Sequence, residues 1–264
     1  MQGFHEVHVS KGRTFIEFSG TAGQVQSAFR TTIRKFVVAG QAHWANSNDP
    51  SIPAALSPVV AGVFTLHNFY KKPQSHLVQG QFAAKAVRQT HPEFTSSTGA
   101  HALAPADYYT IYDFNPLGSN GSHIAITGRS NIDPQDPLYF HYWMYDQATN
   151  WDVLVNGLDP GDLGGSEEME ADLDITWASA VSPSNWVTLV VSQSTATTDG
   201  VDLSEQYIID NNYADVMSES FGDCEANYTS AEAAGIASLA QQAAAQGITS
   251  VSYTHLTLPT ILRV

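Results

Sequence analysis

Trp186-Val187-Thr188-Leu189-Val190-Val191 is a continuous apolar run of strand length, the pattern of a strand covered on both faces. On its N-terminal side, Glu168 to Val181 carries helical spacing, and His123-Ile124-Ala125-Ile126-Thr127-Gly128 is a short apolar strand ending in glycine. On its C-terminal side, Asp202 to Asn212 reads as a helix and Val216 to Gly222 as a third strand ending in glycine. Ser230 can cap a long Ala-rich helix that closes at Gly247. Strands alternating with helices imply crossovers and a parallel sheet, so the class is α/β. In such sheets, sites gather at the carboxyl ends of the strands. No internal repeat is present.

The N-terminal part has a different rhythm. Arg13 to Phe18 alternates like a half-buried strand and stops at Ser19-Gly20. Thr21 can cap a helix carrying Val25, Ala28, Phe29, Ile33 and Phe36. An extended run follows from Val37 toward Ala45, and Pro53 opens a second helix through Leu56, Val59, Val60 and Val63. This is a small α+β module. From Lys71 to Ala104 the apolar pattern decays. Lys71-Lys72-Pro73 and Thr95-Ser96-Ser97-Thr98-Gly99 read as an exposed tether between domains, and such a tether is also where a processing site would fall.

The 264 residues are 43% hydrophobic, enough for real cores, and no stretch approaches the roughly 20 apolar residues that cross a bilayer. Eleven Lys and Arg against 26 Asp and Glu give a formal charge of −15. That balance argues against nucleic acid or an anionic membrane as partner, because both reward clustered cations. Ten histidines would charge in acid while many carboxylates neutralise, which suits a protein that works at low pH. Cys224 is the chain's one cysteine, so it is a buried thiol or its partner lies outside the chain.

The candidate chemistry is an acid pair. Glu170 and Asp174 stand one helical turn apart and can touch. The apolar stripe of their helix runs through Met169, Leu173, Trp177 and Ala180, with the pair at its edge. Without context such a pair is a solvated helix face, and Glu167, Glu168 and Asp172 nearby favour that reading. His5, His8, His43, His67 and His76 have no metal-ligand spacing. His123 and His141 lack a nucleophile elbow, and Gly161-Asp162-Leu163-Gly164-Gly165 follows no strand and reads as a loop.

Several stretches resemble the sedolisin, or serine-carboxyl, peptidase family, which includes kumamolisin. Gly12 to Thr21, then Val25 and Ala28-Phe29, looks like its activation propeptide, as does Ala45-Asn46-Ser47-Asn48-Asp49-Pro50-Ser51-Ile52-Pro53-Ala54-Ala55-Leu56. Leu103-Ala104-Pro105-Ala106-Asp107 with Ile111-Tyr112 resembles the start of the mature enzyme, and Gly121 to Ile126 its first core strand. Glu170-Ala171-Asp172-Leu173-Asp174 matches the catalytic Glu-Ala-x-Leu-Asp, and Ser218 to Glu225 resembles the strand and loop beside the cleft. The resemblance runs from Phe4 to Gly247.

The resemblance implies a subtilisin-like parallel sheet with flanking helices, incomplete here, preceded by a ferredoxin-like α+β propeptide. It implies residues 1–70 as activation domain, N-terminally incomplete, 71–104 as linker with the processing site, and 105–247 as the N-terminal part of the peptidase domain. Residues 248–264 are set apart. Ser252 to Val264 looks like a tail found on unrelated proteins where adapter sequence is read in frame; the alternative is an edge strand from Ile248 to Tyr253.

In function, the resemblance implies an extracellular, acid-acting endopeptidase precursor. Glu170 would be general base for a serine, and Asp174 would be bonded behind it. Imidazole would be protonated near pH 4, whereas a glutamate there is partly ionised. The nucleophile serine, the oxyanion aspartate and the calcium ligands expected of full-length members fall outside this chain, so the chain as written is expected to be inactive and to hold no metal. Expected partners are protein or peptide substrates and the chain's own propeptide as inhibitor. The same comparison implies a disulfide partner for Cys224 outside the chain. The competing reading is a non-catalytic inhibitor or binding protein for a peptidase.

Overall fold

The computed structural model describes residues 3–64, 66–75, 82–83, 94–96, 101–113, 115, 121–144, 150–224 and 227–252. The N-terminal module begins with an antiparallel hairpin, β1 (His5–Val9) and β2 (Ile16–Ser19). Helix α1 (Ala22–Phe29) follows, and Thr21 and Gln24 close a reciprocal capping box at its start, the cap read from sequence. A second antiparallel pair, β3 (Ile33–Val38) and β4 (Gln41–Asn46), turns at Ala39-Gly40, both at positive φ. The extended run read from Val37 to Ala45 is therefore a hairpin. The second helix expected from Pro53 shrinks to one 3-10 turn, Ala54–Leu56. Val59 is 79% exposed, so the apolar spacing of that stretch has no core face to hold a longer helix.

The stretch read as a bare tether contains short strands. β5 (Lys72–Pro73) pairs outside the module, while β6 (Phe82–Ala83), β7 (Phe94–Ser96) and β8 (His101–Ala102) form a small antiparallel sheet. Residues 76–81, 84–93 and 97–100 of that stretch, and with them Ser97-Thr98-Gly99, lie outside the described residues. So do residues 253–264 of the tail.

The C-terminal part is an α/β layer structure. α2 (Pro105–Ile111) is followed by β9 (His123–Gly128), α3 (Gln135–Trp143), β10 (Trp151–Asn156), α4 (Gly165–Val181), β11 (Trp186–Ser192), α5 (Gly200–Asn211), β12 (Val216–Glu219), β13 (Phe221–Gly222), α6 (Ser230–Gln246) and β14 (Thr249–Ser252). Five strands form one parallel sheet in the order β10-β11-β9-β12-β14. Strand periodicity divides the core between its two faces. Ala125, Val190 and Met217 pack with Ile208 and Ile209 of α5 and Leu239 and Ala243 of α6. Ile126, Val187, Leu189 and Val191 pack with Ala171 and Ile175 of α4. The cap of α6 is Thr229, one residue before the position read from sequence, because Thr229 and Glu232 form the capping box; Gly247 ends the helix at φ 84°. Thr249 to Ser252 pairs with β12 as an edge strand.

Candidate active site

The carboxyl ends of β9 and β12 and the first turns of α4 and α5 converge on one groove, where the topology of a parallel sheet puts a site. Glu170 is 1% exposed, so it is no solvated helix face. The buried positions of α4 are Glu170, Ala171, Ile175, Thr176, Ser179 and Ala180. The stripe expected through Met169, Leu173 and Trp177 is thus rotated away from the core. Met169 stays 37% exposed, and Trp177 is covered by a second layer, its ring 5.1 Å from Tyr108 and 5.7 Å from Phe140.

One turn along, Asp174 has its pKa pushed up to about 7. Burial is the main cause; a hydrogen bond with the Ser220 side chain opposes it, and the Glu170 charge adds to it. Its Oδ2 is buried without a hydrogen-bond partner. The pair therefore offers one buried carboxylate facing the groove and, behind it, an acid that keeps its proton toward neutrality.

The groove is occupied by the chain itself. β5 pairs antiparallel with β13, Pro73 opposite Phe221 and Lys72 opposite Gly222. The Gln74 amide donates to the Ser220 carbonyl at 3.1 Å, and the Ser75 amide donates to Glu170 Oε2 at 2.9 Å. An extended peptide laid along a strand edge is one of the recurring modes of peptide recognition. Here its ladder leads one residue after another to Glu170.

Charges missed in the sequence surround that segment. Arg129, directly after β9, donates to both Glu167 oxygens, to Asp199 Oδ2 at 2.6 Å and to the Lys71 carbonyl at 2.8 Å. It lies over the rings of Tyr70 and Phe221. Lys71, read as exposed, is instead sunk among acids: its Nζ is 2.7 Å from Glu219 and 2.8 Å from Asp202. Burial disfavours its charge, but Glu219, Asp202 and Glu205 outweigh that and raise its pKa well above the ordinary value. Burial likewise raises Asp202, to about 6, and Glu205. The position of Arg129 at a strand's carboxyl end was the one signal in the sequence; no spacing set the acids of α5 apart.

The module also docks on α6. His67 Nε2 meets Glu232 Oε1 at 2.7 Å, and Thr14 donates to Gln242 at 2.6 Å. Phe64 packs against the core on this side of the sheet.

Other candidates stand apart from the groove. His141 lies 3.1 Å from the Ser179 hydroxyl, but Ser179 is fully buried and donates back to the Ile175 carbonyl within α4, so the pair is built into the core. His123 joins a chain through Thr188 to Asp152 across the strands. Cys224 is exposed and unpaired among the described residues. Asp136, Glu168 and Asp172 bring one oxygen each within 4.8 Å. Among the described residues, no helix is long and apolar enough to cross a membrane.

Fold and groove together define a two-part chain: a small α+β module whose departing segment fills a groove in a parallel α/β domain. Residues 1–69 match the family described as Pro-kumamolisin, activation domain. Sedolisin of Pseudomonas sp. (strain 101) is 26% identical over 233 residues, covering 85% of this chain and 38% of that protein. Xanthomonalisin of Xanthomonas sp. (strain T-22) is 27% identical over 279 residues, covering 94% and 31%. A solved structure of Pseudomonas sedolisin, a serine-carboxyl proteinase, complexed with two molecules of pseudo-iodotyrostatin, aligns with TM-score 0.48 and 24% identity over 56% of this chain and 43% of that one. The activation-domain match and the two relatives support a sedolisin-family peptidase. The chain spans well under half the length of either relative.

Proposed function

We propose that the chain is the precursor side of an acid-acting serine-type endopeptidase, held inactive by its own activation segment. Glu170 serves as general base and Asp174 as the protonated group behind it. The observation that carries this reading is the Ser75 amide on buried Glu170, at the end of a ladder that runs Lys72 and Pro73 along β13. A substrate peptide in that ladder presents a peptide nitrogen to the same oxygen. In a precursor that supplies a serine, Glu170 takes the hydroxyl proton as the oxygen attacks the carbonyl carbon, and returns it to the departing amine. Asp174, hydrogen-bonded with Ser220, keeps its proton through that cycle and stands behind the base as a donor, where the aspartate of a Ser-His-Asp triad is ionised and accepts. Residues 71–75 exclude peptide substrates until they leave. An extracellular location and a calcium requirement of the whole precursor, both implied by the family resemblance, belong to the same proposal.

Two measurements test this. In a precursor carrying the serine, Glu170→Gln lowers acid-pH peptide hydrolysis by about 10³-fold or more; an unchanged rate rejects the assignment. The 264-residue chain as written hydrolyses no peptide at pH 4, and cleavage that disappears in Glu170→Ala would contradict that.

A further inference from the structure

Lys71 is recognised at every polar group it presents. Its amide donates to Asp199 Oδ2 at 2.9 Å, its carbonyl accepts from Arg129 Nη2 at 2.8 Å, and its ammonium is gripped by Asp202 and Glu219. All of these partners belong to the α/β domain: Arg129 follows β9, Asp199 and Asp202 start α5, and Glu219 ends β12. Glu205, a turn further along α5, is 7% exposed; burial first, and then the Glu219 charge, push its carboxyl up to about 8, so it backs them as an acid that holds its proton at neutral pH. Among the described residues, two cations, Lys71 and Arg129, face the carboxylates of Glu167, Asp199, Asp202 and Glu219. Withdrawing Lys71 leaves Arg129 alone against them, and buried charge without a partner is strongly unfavourable. Where Asp202 is ionised, the pocket thus calls for an ammonium whether or not the activation segment is present.

Its place along the groove gives the occupant. Lys71 precedes the two residues paired with β13, on the same extended segment that ends at Glu170. A cavity of about 580 Å³ lined by Tyr70, Lys71, Asp202 and Tyr228 opens beside it, between module and domain.

We propose that Asp199, Asp202, Glu205 and Glu219, with Arg129, form a subsite for a lysyl residue of an extended peptide, filled here by Lys71 and, once the activation segment is displaced, by a substrate lysine. The pocket itself is independent of the catalytic assignment; its use by substrates rests on the serine-peptidase reading above. A compact ammonium suits it better than a guanidinium, because the two carboxylates close on one nitrogen rather than on a planar fork.

The test uses the 264-residue chain with Lys71→Ala and n-butylammonium as probe. The amine should raise the variant's Tm saturably and leave the parent's unchanged, while n-butanol moves neither. Equal shifts in variant and parent, or none, overturn the pocket. If Lys71→Ala does not fold, refolding from urea replaces the melt: recovery with the amine but not the alcohol supports the site, and recovery with neither overturns it. N-acetyl-lysine N-methylamide, which needs none of the ladder that residues 72–75 hold, should bind the variant about tenfold more tightly than N-acetyl-norleucine N-methylamide, the size of one charge-assisted contact. Equal binding, or binding of neither, overturns the substrate role. No readout requires catalysis, so failure here is separable from failure of the Glu170 assignment, which shows only in hydrolysis.

Discussion

Asp174 carries a proton that the unfolded chain would release near pH 4, because its site strips away water and sets the Glu170 charge beside it. A carboxyl whose folded pKa is raised favours the native state fully below its unfolded pKa, and that contribution fades as pH climbs toward 7. Asp174→Asn keeps the shape and removes the ionisation. The Tm of the variant relative to the parent should therefore shift in the variant's favour between pH 4 and pH 8; a difference that stays flat, or moves the other way, contradicts the raised pKa. The pair was legible in the sequence through its spacing and flanking pattern, which put Glu170 and Asp174 on one turn. Its surroundings were not. Ser75, Ser220 and Arg129 come from segments far apart in the chain, and no local periodicity marks residues that meet only when β5 lies along β13.

At the scale of elements, the apolar runs in β9 and β11 were readable because strands covered on both faces have few alternatives. β10 was missed although Trp151, Val153 and Val155 alternate, since as an outer strand it lacks a continuous apolar run. α3 was missed because its large apolar residues, Leu138, Tyr139, Tyr142 and Trp143, are exposed and mark no buried stripe. The most confining junction is the entry to α5, which brings Asp199 and Asp202 to the groove. A Cβ on Gly200 would stand 2.1 Å from the Ser192 carbonyl oxygen and 2.8 Å from Arg129 Cβ. Gly200→Ala should cost about 1–3 kcal/mol or more by forcing α5 off β11. Urea unfolding measures this, and a variant of parental stability would show that the junction yields freely.

For the molecule as a whole, two kinds of contact hold the module down: ionic ones at Lys71 and His67, and close-packed ones along α6. They answer differently to acid. The Glu232 carboxyl is pushed up by burial, yet the His67 ring and the Thr229 amide and hydroxyl hold it below its ordinary value. Its contribution is present at neutral pH and is lost as pH falls through that lowered pKa. Asp202, near 6, begins to lose its charge earlier, which loosens the grip on Lys71 first. The aromatic and backbone contacts are indifferent to protons.

Among those, Gly62 comes so near α6 that a Cβ there would sit 2.1 Å from the Ala231 carbonyl oxygen. A single methyl at that spot acts as a wedge driven under the latch, prising the two halves apart with every charge left in place. Gly62→Ala should expose the segment around Ser75 to an added protease at neutral pH, where the parent resists, and mass spectrometry would locate the cut; equal resistance would mean the halves can slide past the obstruction. A segment kept in place by the missing side chain of one glycine can be dislodged sterically as well as by acid, so holding it and releasing it need not share one trigger.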